Sequence, residues 1–195
     1  MDGFSTENHL YKNIQKKLKK ELDKKRYVHT MGVAYTALNL AMAHGEDLGS
    51  AYLAGLLHDN AKCLSSKEKL SLCKKHGIKP NEAEAENPDL LHAKLGAALA
   101  KDRFEIEDGA VLSAICYHTT GKPDMSTLEK IVYIADYMEP NRRMLPGLPE
   151  IRGMAFKDLD QTMTKILENT LSHLKNKKIM IDPLTQETWD YYKTR

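Results

Sequence analysis

No apolar run in this 195-residue chain is long enough to cross a membrane: the longest, Ala51–Leu57, falls far short of the ~20 residues a spanning helix needs. Cysteine is scarce, and its three copies, Cys63, Cys73 and Cys116, show no Cys-x-x-Cys spacing. Cys116 follows the apolar run 110–115 and reads as a small core residue. An odd cysteine count in a Lys-rich chain without a secretory apolar core predicts a reducing, cytoplasmic setting. An excess of one charge is missing too, with 29 Lys and Arg against 27 Asp and Glu, so nucleic acid is not an expected partner and neither is a membrane. Alternating strand patterns, internal repeats and low-complexity linkers are absent. What remains is a chain of helical periodicities, and the expected fold is a single all-α domain.

Leu10, Ile14, Leu18 and Leu22 recur every fourth residue and mark a first amphipathic helix. The basic residues from Lys12 to Arg26 read as its solvated face, or as a surface that steers an anionic substrate. A second helix is predicted from Tyr27 to about Ala43, with Val28, Met31, Tyr35, Leu38 and Met42 inward and Gly45 just past its end. Residues 50–61 are apolar almost all round, which predicts a buried central helix. Ser65-x-x-Glu68 and Ser126-x-x-Glu129 are capping boxes that open two further helices. The first of these closes at Gly77 and Pro80, and the second runs to Met138 before Pro140. Residues 81–89 read as a polar connector, and residues 90–101 and 109–117 as helices. Gly147 and Pro149 punctuate a loop carrying Arg142 and Arg143. A long helix is expected from about Ala155 to Lys175, then an extended piece, Ile179–Pro183, and a final short turn.

The informative residues are four of the eight histidines. His9, His44, His76 and His173 flank polar positions or helix ends and read as surface residues. His29 lies near the start of the second helix, His92 opens a helix and His118 ends one. The pair His58-Asp59 closes the most apolar helix of the chain, where a polar group is costly unless paired or bound to a metal. Asp136 interrupts the apolar run 131–135 and needs a partner for the same reason. Taken singly, each is most simply a satisfied core or surface residue. Taken together, the set has the character of a metal centre assembled from facing helices. Imidazole nitrogen and carboxylate oxygen suit Fe, Mn, Co, Ni or Zn better than Ca, and the lack of thiolate argues against structural zinc.

The succession His29…His58-Asp59…Asp136 resembles the signature of the HD hydrolase superfamily. The runs His58-Asp59-Asn60-Ala61-Lys62, His92-Ala-x-Leu-Gly, Tyr117-His118-Thr119-Thr120-Gly121 and Ala135-Asp136-Tyr137-Met138-Glu139-Pro140-Asn141-Arg142 are similar to the YqeK family within it. These are symmetrical bis(5′-nucleosyl)-tetraphosphatases, which split diadenosine tetraphosphate into two ADP. The resemblance spans roughly residues 25–185. Asn60 stands where that family usually has a bulkier residue, a departure that removes no expected ligand.

The resemblance implies an HD-type helical bundle over residues 25–195, with residues 1–24 as an amphipathic helix packed on it. It implies His29, His58, Asp59 and Asp136 as ligands of an iron-like ion, Mn, Co or Ni being the other candidates. Asp59, Lys62, His92, His118 and Arg142 become the catalytic set. Lys62, His92, His118, Thr119 and Arg142 become phosphate contacts, Asp136 a further substrate-binding residue, and Ile179, Ile181, Asp182 and Pro183 border the nucleoside. The expected reaction is attack of a metal-bound hydroxide on a dinucleoside tetraphosphate, with Lys62 and Arg142 offsetting phosphate charge. His92 or His118 would move a proton or ligate a second ion. The alternatives are another HD-type nucleotide monophosphatase or diesterase, or a weakly catalytic sensor of ADP or GDP. The apolar helices allow a homodimer, which the resemblance also suggests.

Overall fold

Capping side chains set where the helices of this chain begin. Ser65 and Ser126 each accept the backbone N–H of the Glu three residues on, and each Glu carboxylate returns to the serine N–H. Asp23, Asp47, Asp108, Asp158 and Asp182 cap five more helices. The structure is a computed structural model that describes Ser5 and residues 8–194. In chain order the helices are α1 (His9–Glu21), α2 (Lys24–His44), α3 (Leu48–Leu57), α4 (Ser66–Lys75), α5 (Glu82–Glu86) and α6 (His92–Phe104). They continue with α7 (Gly109–Tyr117), α8 (Thr127–Met138), α9 (Leu148–Ala155), α10 (Leu159–Asn176) and α11 (Pro183–Tyr192). A 3-10 turn, Pro88–Leu91, leads into α6. No strand occurs among the described residues, and no helix among them is long and apolar enough to cross a membrane.

Several boundaries differ from the sequence reading. Helix α3 stops at Leu57, so His58 is its C-cap and Asp59 lies in the turn beyond. The polar connector 81–89 contains α5, opened by an Asn81–Glu84 capping box, and the first half of the 3-10 turn. Gly147 and Pro149 start α9, and the long helix begins only at Leu159, where the Asp158 carboxylate accepts Gln161 N–H. The last element is a ten-residue helix rather than a short turn, because Asp182 caps it and Pro183 fits its first position.

The inward face of α2 is also not the expected one. Val28, Tyr35 and Met42 are exposed, while His29, Thr30, Val33, Ala34, Ala37, Leu40 and Ala41 are buried. Apolar residues run nearly all round this helix, so periodicity does not choose a face. Close packing does. A Cβ added at Gly55 of α3 would lie 2.7 Å from the Ala34 Cα, so the two backbones touch and only small α2 residues fit between them. In α1, likewise, Ile14, Leu18 and Leu22 are buried but Leu10 is exposed. Cys116 is half-buried rather than core, and burial pushes its thiol up.

Helix α2 packs on α3 and α8, α3 on α7, and α7 on α6 and α8; α10 lies across α8 with α9 and α11. The shared core holds Leu40, Tyr52, Leu56, Ile115, Ile131 and Ile134, all fully buried. Because α3, α6, α7 and α8 pack side by side, their ends bring His58, His92, His118 and Asp136 to one place.

Candidate metal centre

His58 and His118 follow the last residues of α3 and α7, where helix carbonyls have no N–H partner. Each ring uses one: His58 Nδ1–H donates to Gly55 O and His118 Nδ1–H to Ile115 O, both at 2.7 Å. His92, at the start of α6, does the same to Asp89 O at 2.5 Å. A carbonyl only accepts, so these bonds put the proton on Nδ1 and leave Nε2 as a lone pair. His29 is held differently, with Nδ1 3.2 Å from Oε1 of the buried Glu139.

The four Nε2 atoms face one another around two carboxylates. His58 Nε2 is 3.4 Å from His29 Nε2, and His92 Nε2 is 3.2 Å from His118 Nε2. Asp136 Oδ1 lies 3.0 Å from His29 Nε2 and 3.9 Å from His58 Nε2. Asp59 stands between the two histidine pairs. Its Oδ2 is 3.3 Å from His58 Nε2 and 3.7 Å from His29 Nε2, and its Oδ1 is 3.2 Å from His92 Nε2 and 3.8 Å from His118 Nε2. Donor atoms of His29, His58 and Asp136 fall within 4.8 Å of one another, as do those of His58, Asp59 and His118.

This arrangement fits a divalent cation. Facing lone pairs repel unless a proton or a metal ion sits between them, and two nitrogens ~2.1 Å from one tetrahedral ion lie about 3.4 Å apart. The cluster also stabilises positive charge. Burial alone would lower the His58 imidazole, but the adjoining Asp59 and Asp136 carboxylates outweigh it and raise it. Burial alone would raise Asp59 and Asp136, yet their histidine neighbours hold both well below the usual carboxylate range, with Arg142 also acting on Asp136. His118, by contrast, is pushed down to about 3, chiefly by burial, so it stays neutral.

Lys62 Nζ is not aimed at the histidines; it donates to Asp89 Oδ2 at 2.5 Å, and Lys69 donates to Asp89 Oδ1 at 2.7 Å. Burial alone would raise the Asp89 carboxyl, but these ammonium hydrogen bonds hold it at about 2. Since Asp89 O also anchors His92, Lys62 belongs to the same node. The Thr119 hydroxyl lies 3.2 Å from His118 Nε2 and 3.4 Å from His92 Nε2, and Arg142 reaches to 4.0 Å from Asp136. Asn60 ties the turn to α6 by donating to Gly96 O. Residues 179–183 join none of the histidines by a hydrogen bond or ion pair among the described residues. Asp182 caps α11 and accepts from Asn81 Nδ2 at 2.8 Å.

Two residues at this centre had been given no role from sequence. Arg26 donates through Nη1 to Asp59 Oδ2 at 2.6 Å, although it was grouped with the solvated basic face. Glu139 orients His29, and its other oxygen accepts Asn141 N–H at 2.6 Å. Spacing could have found Glu139, which follows Asp136 by three residues, one turn along the same face, whereas Arg26 is one of several basic residues at a helix start. Gly32, three residues after His29, leaves the room that Glu139 occupies; a Cβ there would meet its carboxylate.

Residues 26–141 match the HD domain family model. The chain is 38% identical over 174 residues to a symmetrical bis(5′-nucleosyl)-tetraphosphatase of Bacillus subtilis, covering 89% of this chain and 92% of that one. It is 37% identical over 176 residues to the Staphylococcus aureus protein of the same name, covering 89% and 90% respectively. Among solved structures it is similar to a predicted HD superfamily hydrolase involved in NAD metabolism from Clostridium acetobutylicum. That likeness has a TM-score of 0.91 at 39% identity and covers 95% of this chain and 97% of that one.

Proposed function

This chain belongs to the HD domain family of hydrolases, and from that premise we propose that it splits dinucleoside tetraphosphates symmetrically, taking diadenosine tetraphosphate to two ADP in the cytoplasm. The observation that carries this reading is the convergence of four imidazole Nε2 atoms and two carboxylates beside the Arg26 and Arg142 cations. Such a set offers donors for a hydrolytic cation next to charges that suit a polyphosphate. The likeness to the B. subtilis and S. aureus proteins narrows the substrate class.

In this reading residues 25–195 form the catalytic domain, and His29, His58, Asp59 and Asp136 hold a transition-metal ion. Its all-nitrogen-and-oxygen donor set suits iron, with Mn, Co or Ni as substitutes. When bound, the ion offsets charge on phosphoryl oxygens and makes water nucleophilic near neutral pH. Arg142 and Arg26 bind the phosphates that flank the bond to be broken, and Arg26 exchanges its Asp59 partner for substrate. Lys62 extends the cationic track. Neutral His118 accepts a hydrogen bond at Nε2, and the Thr119 hydroxyl beside it donates to a phosphate oxygen. Residues Ile179, Ile181, Asp182 and Pro183 border one nucleoside. Attack at a β-phosphorus breaks its bond to the central bridging oxygen, and the other half departs as ADP.

One observation favours a second role for His92 and His118. Asp59 Oδ1 is turned to them while Oδ2 is turned to His58, so Asp59 could bridge two ions. A fall from two metal ions per chain to one in His92→Ala would assign them to a second ion; an unchanged count with weaker nucleotide binding would leave them as phosphate contacts.

The reaction is tested by hydrolysis of diadenosine tetraphosphate in ¹⁸O-labelled water by the metal-loaded protein. The label should appear on the β-phosphoryl oxygen of half the ADP. ATP and AMP as first products would show that the phosphates bind in another register.

A further inference from the structure

A symmetrical substrate has two nucleoside arms, and the residues assigned above account for only one. Beside the metal centre, on the Arg26 and Arg142 side, the surface opens into a cavity of about 1150 Å³. Ordinary small-molecule pockets measure roughly 300–1,000 Å³. His29, Glu139 and Arg142 are among its lining residues, so it reaches the edge of the metal centre. Its walls come from the start of α2, the loop between α8 and α9, and the last two turns of α10. Residues 179–183 take no part in it.

The charge on these walls is one-sided. Lys24, Lys25 and Arg143 line the cavity, and none of the three forms an ion pair among the described residues. The acids are already engaged: Asp23 caps α2 through Arg26 N–H, and Glu139 holds His29 and Asn141. Lys24, Lys25 and Arg26 also fill the first turn of α2, which contains no acidic residue. Cations at a helix N-terminus oppose its macrodipole. Such a local conflict is expected where a site takes an anion. Apolar surface adjoins the cations, in exposed Val28 and half-buried Tyr137 and Leu145. Asn169 donates to the Tyr137 hydroxyl at 3.3 Å and to Pro146 O at 3.2 Å, which braces that wall.

We propose that this cavity is the binding site for the second half of the substrate, the nucleoside diphosphate that leaves. The proposal rests on the reaction proposed above. Lys25 and Arg143 meet its phosphates, and the base lies against the Tyr137–Leu145 wall. A substrate with one nucleoside end leaves the cavity unfilled, so the cavity favours substrates with two.

Two measurements test it on the metal-loaded full chain. In calorimetric titration with ADP the wild type should bind two molecules per chain and Lys25→Ala/Arg143→Ala only one. In kinetics, Ser172→Trp, which puts an indole into the cavity without removing charge, should raise KM for diadenosine tetraphosphate about tenfold more than for adenosine 5′-tetraphosphate, as loss of one arm's contacts implies. A single ADP per wild-type chain, or equal KM changes for the two substrates, overturns the second site. Failure of the wild type to hydrolyse diadenosine tetraphosphate overturns the reaction instead, and the ADP count still decides the cavity.

Discussion

A neutral imidazole carries one proton, so whatever holds Nδ1 decides what Nε2 can do. In His58, His92 and His118 a carbonyl three residues back holds it, and Nε2 is left as a donor to a cation. His29 depends on a carboxylate instead, and Glu139 has two duties: Oε1 meets His29 and Oε2 accepts Asn141 N–H. Glu139→Gln keeps the size but offers one acceptor where two are used. We expect it to weaken metal binding by roughly 10–100-fold, as loss of an outer-shell partner does. Competition against a chromophoric chelator measures this. An unchanged affinity would reduce Glu139 to a brace for the chain turn at Pro140.

The centre is exact only if the helices that carry it keep their separation. His29 rides on α2 and His58 on the end of α3, and the two helices touch at Ala34 and Gly55. The Gly55→Ala methyl would lie 2.7 Å from the Ala34 Cα, a backbone atom that cannot rotate away. Alanine gains about 1 kcal/mol of helix propensity over glycine, whereas overpacking costs about 1–3 kcal/mol. The backbone contact lets the second effect win. A net loss of up to about 2 kcal/mol lowers Tm by up to roughly 8 °C in a chain this long. Thermal denaturation would show it, and an unchanged or higher Tm would mean that α2 and α3 can part without cost.

Across the whole molecule the same cluster gathers charge that the fold cannot neutralise by itself. Buried lone pairs face each other at 3.2 and 3.4 Å, and Arg26 covers the buried Asp59 carboxylate. An ion bound there stabilises the native state alone, by about 2.7 kcal/mol when its concentration is 100 times Kd. For a protein of this size, stripping the metal with a chelator should lower Tm by roughly 5–11 °C, and restoring it should reverse the change. Identical melting curves with and without metal would sink the metal assignment.

The helices and most of the centre were legible in the chain because they depend on neighbours in sequence. Capping boxes at Ser65 and Ser126 satisfy local N–H groups, and a His-Asp pair at the end of an apolar helix is conspicuous wherever that helix goes. The buried face of α2 was not legible, since apolar residues surround the helix and only the contact with Gly55 selects the small ones. Nor could the chain alone separate Arg26 from the lysines before it. All are basic residues near a helix start, and only the approach of Asp59, 33 positions away, gives Arg26 a partner. The large cavity is further still from local pattern. It exists because the start of α2 and two segments more than a hundred residues further along leave a gap beside His29, and a gap has no sequence of its own.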